Sequence, residues 1–237
     1  MKVIGLVTTT RPTKLQAMID SLSDCDDIIV VEDVERHGMA WARNRLMSLA
    51  PAGSIVRFLD DDDIAFSTRR MAERLLHSGV DVLGASYIVR DYRAAVPVNP
   101  ITACVNRVGP WSWVAKIDSI RMLPWDCSKK VMTGTWQWLR FIEADLQLGM
   151  APDIWCYHWI PAHDGVTAKH AHLPTYDLYR RLLNLINTRG HVSDLWHLVD
   201  RISFYDSSFR SRYHILDNND SYLYDKLDAY ISAGEIQ

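Results

Sequence analysis

The stretch Phe58-Leu59-Asp60-Asp61-Asp62-Asp63 decides how this chain is read. A mostly apolar run, Ile55 to Leu59, reads as a β-strand and ends in four consecutive carboxylates. Four adjacent negative charges repel one another, so something must compensate them. In an extended chain residues i and i+2 point the same way, which lets Asp60 and Asp62 converge on one cation. Hard divalent ions take carboxylate oxygens, and Mg2+ commonly bridges such groups to substrate phosphates. The plainer alternative is a solvated acidic turn whose last member caps the next helix. A second acidic pair, Glu32-Asp33, closes another apolar run, Ile28 to Val31, and favours the cation reading.

Outward from that stretch, strand and helix signals alternate. Val3 to Thr8 reads as a strand closed by Arg11-Pro12. Thr13 reads as a helix cap, followed by Leu15, Met18, Ile19 and Leu22 at the spacing of one buried helix face. Helices are expected from Ala40 to Leu49 and from Thr68 to His77, and a further strand from Val80 to Val89. This alternation predicts an α/β fold with a mostly parallel sheet, in which ligands bind beyond the carboxyl ends of the strands. Residues 91 to 135 are poorly periodic and read as short strands and loops. A helix is expected from Trp136 to Leu148, a late strand from Ile154 to Ile160, and helices after Pro174, over Val192 to Phe204 and over Tyr222 to Ile231.

Composition bounds the function. The chain has 237 residues, 48% hydrophobic and 23% charged, with a net charge of −3, so there is no global basic field to hold nucleic acid. No apolar run approaches the roughly 18 residues of a membrane span. Four scattered cysteines without a CxxC pair point to a reducing, cytoplasmic setting. Seven of the nine tryptophans fall between Trp111 and Trp159. They read as a mixture of core and of an aromatic platform, since sugars and bases stack on indole faces.

The order of these segments resembles glycosyltransferase family 2, enzymes of the nucleotide-sugar-binding GT-A fold. The segments that carry the resemblance are the strand and turn Val3 to Pro12, Ile29-Val30-Val31-Glu32-Asp33, Gly38-Met39-Ala40-Trp41-Ala42-Arg43-Asn44, and Phe58 to Asp63, which looks like the DxD metal motif. The resemblance implies a GT-A-like domain over residues 1–173. Its nucleotide-sugar half would be residues 1–90, its acceptor half residues 91–173, and residues 174–237 a helical C-terminal appendage. It implies that Thr8 and Arg11 line the nucleotide pocket and that Glu32 or Asp33 meets the base or ribose. Arg43 would face the diphosphate or ribose. Asp60 and Asp62 would be the DxD pair, Asp61 would lie beside the nucleotide sugar, and Asp62 would touch Mn2+ or Mg2+.

The second half resembles the family more faintly. Where the family carries Glu-Asp before a helix, this chain has Thr133-Gly134-Thr135. The aspartate there is the general base of inverting members. Its replacement leaves three options: another carboxylate, with Asp126 the nearest; a retaining reaction without such a base; or an acceptor hydroxyl that is already acidic. His163 resembles a histidine that serves as third metal ligand or diphosphate donor, with His170 and His172 as rivals. Trp111, Trp113 and Trp136 are the expected acceptor platform. The implied partners are a nucleotide-sugar donor, expected to be a UDP-sugar, and a saccharide or small-molecule acceptor. A hydroxymethylated base in DNA is the alternative acceptor, given Arg69-Arg70, Lys129-Lys130 and Arg180-Arg181. A nucleotidyltransferase and a non-catalytic nucleotide-sugar binder are the readings from other classes. Donor sugar, stereochemistry and oligomeric state are not given by the residues.

Overall fold

A computed structural model describes residues 1–10, 15–89, 92–94, 99–105, 109–129, 132–158, 176–190, 192–205, 208–215 and 223–234. The first half alternates as the hydrophobic periodicity requires. The elements are β1 (Val3–Thr9), α1 (Gln16–Ser21), β2 (Asp27–Glu32), α2 (Met39–Leu49), β3 (Ile55–Asp60), β4 (Asp63–Ala65), α3 (Thr68–Ser78) and β5 (Val82–Val89). The second half holds β6 (Tyr92–Ala94), α4 (Pro100–Val105), β7 (Trp113–Lys116), α5 (Ile117–Arg121), α6 (Thr133–Glu143) and β8 (Leu148–His158). Four helices follow: α7 (Tyr176–Arg189), α8 (Val192–Tyr205), α9 (Phe209–Arg212) and α10 (Leu223–Gly234).

The strands form one sheet in the order β2-β1-β3-β7-β5-β8-β4, with β6 paired to β5. β1 is buried along its whole length, as a central strand covered on both faces must be. Its parallel neighbours are β2 and β3, in a register that sets Thr8 beside Asp60 and Thr9 beside Glu32. The carboxyl ends of β1, β2 and β3 therefore finish at one edge and bring both acidic clusters together. β7 runs antiparallel between β3 and β5, and β5 and β8 are parallel, so the sheet is mixed. Gly5 in β1 is dictated by packing: a Cβ there would lie 2.7 Å from Leu22 Cδ1.

Two elements differ from their expected bounds. α6 begins at Thr133 and ends at Glu143, because Asp145 takes a left-handed φ of 55° and turns the chain into β8. Leu148, expected to end the helix, instead opens an 11-residue strand. The segment read as strands and loops also contains the short helices α4 and α5.

Helices α7, α8 and α10 do not stand apart from the sheet. Leu178, Leu182, Leu198, Ile202 and Leu227 are fully buried in the same apolar cluster as Ile4, Phe58, Trp113 and Trp138. Each such side chain contributes about 1.5–3 kcal/mol on burial. Two polar contacts fix α8 further: Thr102 donates to the buried Asp194 carboxylate at 2.5 Å, and Arg201 donates to the carbonyls of Cys104 and Val105. No helix among the described residues is long and apolar enough to cross a membrane.

Candidate active site

The site is built where β1, β2 and β3 end. Asp60, the last residue of β3, is held from two sides. Thr8 Oγ1 donates to its Oδ1 at 3.0 Å. Arg43 Nη2 donates to both its oxygens, at 2.9 and 3.1 Å. Arg43 projects from α2 with 1% of its surface exposed, its guanidinium 4.6 Å above the Trp125 ring, and its Nη1 donates to Thr133 Oγ1 at 3.0 Å. A buried ion pair is stable only with good geometry and further hydrogen bonds, and both are present here.

The remaining acids divide by role. Asp63 is fully buried and its carboxylate accepts from the Asp60 backbone N–H at 3.1 Å, closing the turn. Asp61 Oδ2 accepts from Thr9 Oγ1 at 2.7 Å. Asp62 is half-buried at the tip of the turn. The repulsion of four adjacent carboxylates is thus relieved by sending them in different directions, with a guanidinium taking the first.

At the end of β2, Asp33 is buried and accepts from the backbone N–H groups of His37 at 2.9 Å and Gly38 at 2.7 Å, and lies 3.1 Å from His37 Nδ1. These bonds shape the loop into α2, where Gly38 has a φ of 109° that favours glycine. Burial, the largest single influence, pushes the Asp33 carboxyl pKa up; the Gly38 and His37 N–H groups and the His37 ring together outweigh it and hold it below the ordinary value. A carboxylate whose folded-state pKa is depressed adds stability that is present above its unfolded value, about 3.9. That stability is lost as pH falls through the folded value. Asp33→Asn is therefore expected to lower the melting temperature at neutral pH, with a difference from the wild type that shrinks below pH about 4. Melting curves across pH check this; a constant difference would contradict it.

These contacts place the residues expected at the site. Thr8, expected to line the nucleotide pocket, is 7% exposed and its hydroxyl donates to Asp60. Arg43, expected at the diphosphate or ribose, is buried and donates to Asp60. Of the Glu32-Asp33 pair, Asp33 is committed to its loop and Glu32 is exposed. Trp113 is fully buried between Phe58, Trp125 and Phe141, so it packs and offers no face to an acceptor. Trp136 is 5% exposed, with Lys129 Nζ 4.2 Å and the Arg181 guanidinium 5.4 Å from its ring centroid. Trp111 is half-buried, and its carbonyl accepts from Arg57. Arg11, His163, His170 and His172 lie outside the described residues.

Asp126 is exposed, and its Oδ1 accepts from the Ser128 hydroxyl at 2.7 Å and the Ser128 N–H at 2.9 Å. Those bonds hold its pKa below the ordinary carboxylate value, with the hydroxyl bond the larger influence. Asp126 lines a concavity of about 600 Å³ together with Trp125, Trp136, Arg140, Glu143 and Arg181. Sequence reasoning passed over Asn44, whose side-chain amide both donates to the Trp125 carbonyl (2.9 Å) and accepts from the Trp125 N–H (2.7 Å). Arg43 and Asn44, adjacent on α2, thus tie the acids after β3 to Thr133 and Trp125.

Among the described residues no group of three or more His, Cys, Asp or Glu side chains forms a metal cage. An ion shared with a substrate's phosphates needs no such cage. Mg2+ is commonly held by one or two carboxylates and substrate phosphates, and Asp62 supplies a carboxylate at the strand-end turn.

No family model and no curated protein sequence matches the chain. Solved structures do. S. aureus TarS 1-349 in complex with UDP-GlcNAc superposes with a TM-score of 0.66 at 13% identity, over 98% of this chain and 80% of that one. The same protein in complex with UDP gives 0.62 at 14% identity, over 94% and 77%. The mannosyltransferase PcManGT from Pyrobaculum calidifontis, in complex with GDP-Man and Mn2+, gives 0.57 at 12% identity, over 99% and 79%. The chain has the GT-A fold. At these identities the likeness establishes the fold. In this GT-A chain the acids after β2 and β3 stand at the carboxyl ends of parallel strands, where open α/β sheets bind their ligands.

Proposed function

We propose that the chain is a metal-dependent glycosyltransferase that moves a sugar from a nucleotide diphosphate sugar, with a UDP-sugar as the expected donor, to an acceptor hydroxyl on a saccharide or small molecule. The observation that carries this reading is the turn Asp60 to Asp63. Asp60 is held by Arg43 and Thr8, Asp63 is buried in the turn, and half-buried Asp62 stands at its tip, at the joint end of β1, β2 and β3. The GT-A neighbours with bound UDP, UDP-GlcNAc, or GDP-Man and Mn2+ support it.

In this reading Asp62 would hold Mn2+ or Mg2+, and the ion would stabilise the negative charge of the leaving diphosphate. The acceptor oxygen attacks the anomeric carbon, the bond from that carbon to the diphosphate breaks, and the electron pair leaves with the nucleoside diphosphate. The acceptor proton passes to a base or to water. Asp126 is poorly suited to take it, since its carboxylate is engaged with Ser128 and its pKa is depressed. Glu32, exposed at the end of β2, would accept a hydrogen bond from the base or ribose.

The test is a transfer assay with UDP-sugars and GDP-mannose, in Mn2+, against saccharides and hydroxymethylated DNA at two salt concentrations. Salt-insensitive transfer to a saccharide is the expected result. Transfer to DNA that falls steeply with salt would reassign the acceptor. Neither transfer nor donor hydrolysis with any donor would overturn the glycosyltransferase reading.

A further inference from the structure

We propose that the concavity between α6, α7 and the turn after Leu123 binds a neutral saccharide, the part of the acceptor beyond its reacting hydroxyl; this rests on the glycosyltransferase reading of the turn Asp60 to Asp63. Three elements build it. Trp136, Arg140 and Glu143 stand at i, i+4 and i+7 on one face of α6, while Trp138, Leu139 and Phe141 of the same helix are buried in the core. The turn Pro124-Trp125-Asp126-Cys127 forms a second wall, and Arg181 of α7 a third. The space measures about 600 Å³. That lies within the roughly 300–1,000 Å³ usual for small-molecule sites.

The charge of the walls selects the ligand. Two guanidinium groups, of Arg140 and Arg181, are matched by two carboxylates, of Asp126 and Glu143, so the lining carries no net charge. An anion would meet repulsion there as well as attraction. The charged groups are already held by the protein. Arg181 donates from Nε to Glu143 Oε1 at 3.1 Å and from Nη2 to Oε2. Arg140 donates from Nη1 to the Pro124 carbonyl, and Asp126 takes both Ser128 bonds on Oδ1. Asp126 Oδ2 and the other Arg140 N–H groups are left as acceptor and donors on fixed supports, which lowers the cost of ordering them around a ligand. Sugar hydroxyls, each both donor and acceptor, match such a set. Trp125 also places the concavity in relation to the strand-end turn. It is a wall of the concavity and the ring 4.6 Å from the Arg43 guanidinium, and Arg43 holds Asp60.

The experiment titrates maltotriose, cellotriose and chitotriose into the full chain by calorimetry, with and without UDP and Mn2+. The expected result is saturable binding of at least one of them. Ala144→Trp, which fills the concavity, should weaken that binding about tenfold or more and leave UDP–Mn2+ binding within about twofold. Asp126→Asn, which keeps an acceptor for Ser128 and turns Oδ2 into a donor, should lose about fivefold, and it decides the matter if Ala144→Trp does not melt cooperatively. Cys127, exposed on the same wall, locates the sugar: bound trisaccharide should slow its alkylation by iodoacetamide. Absence of binding of all three sugars, unchanged binding in the deciding variant, or an unchanged rate of Cys127 alkylation with trisaccharide bound overturns the site. Competition between the trisaccharide and UDP–Mn2+ overturns the acceptor assignment and gives the sugar to the donor pocket. A wild type that binds a trisaccharide but not UDP–Mn2+ overturns the donor reading, and with it the acceptor assignment. One that binds UDP–Mn2+ alone overturns only this inference.

Discussion

Asp62→Ala should abolish the promotion of UDP binding by Mn2+ and lower sugar transfer by at least about 100-fold, the order seen when one charge-stabilising group is lost from an active site. Its three neighbours cannot readily replace it. Asp60 has both oxygens on Arg43 and one on Thr8. Asp61 accepts from Thr9, and Asp63 is buried with its carboxylate on the Asp60 backbone. Recruiting any of them to a cation would break bonds that shape the turn. Asp62 is half-exposed, so its removal should change the melting temperature little, which separates loss of metal from loss of fold. The check is UDP titration with and without Mn2+ on both proteins. If Asp62→Ala keeps the wild-type response to Mn2+, the metal assignment is wrong.

Arg43→Met should be the most destabilising single change at the site. It removes the cation but leaves Asp60 without its bidentate partner, and breaking a buried pair this way costs about 3–5 kcal/mol. The lower end is expected, because Asp60 retains 14% side-chain exposure and can recruit water. For a chain of this length that corresponds to a fall in melting temperature of about 6–12 °C. Arg43→Lys should fall between the two. It keeps the charge but loses the two-pronged donation to Asp60, the bond to Thr133 and the stacking on Trp125. Activity should drop in both variants even at temperatures where they remain folded, since Asp60 then loses its fixed position. A melting temperature for Arg43→Met within about 2 °C of the wild type would show that the pair contributes little.

The backbone of the first half is written plainly in the residues. Apolar runs at β1, β2 and β3, one-sided apolar spacing at α3, and acids at the ends of β2 and β3 leave little choice, and the parallel register then joins the acids at one edge. The direction each side chain takes was less legible. Thr8 meets Asp60 across 52 residues, and Arg43 meets Thr133 across 90. No local periodicity encodes such pairings, so the burial of Arg43 and its hold on Asp60 could not be read from its neighbours in the chain. The tryptophan excess shows the same limit. Spacing cannot tell an indole that packs from one that presents a face, and Trp113, Trp125, Trp136 and Trp138 are all buried. The gap at Thr133-Gly134-Thr135 was visible in the sequence; the bond that Arg43 makes to it was not.

The most direct measurement is a calorimetric titration of UDP into the full chain, once in Mn2+ and once in EDTA. A nucleotide-diphosphate site built around Asp62 predicts saturable binding in Mn2+ that weakens at least about tenfold when the ion is removed. Absence of UDP and GDP binding under both conditions, or equal binding with and without the ion, would contradict it.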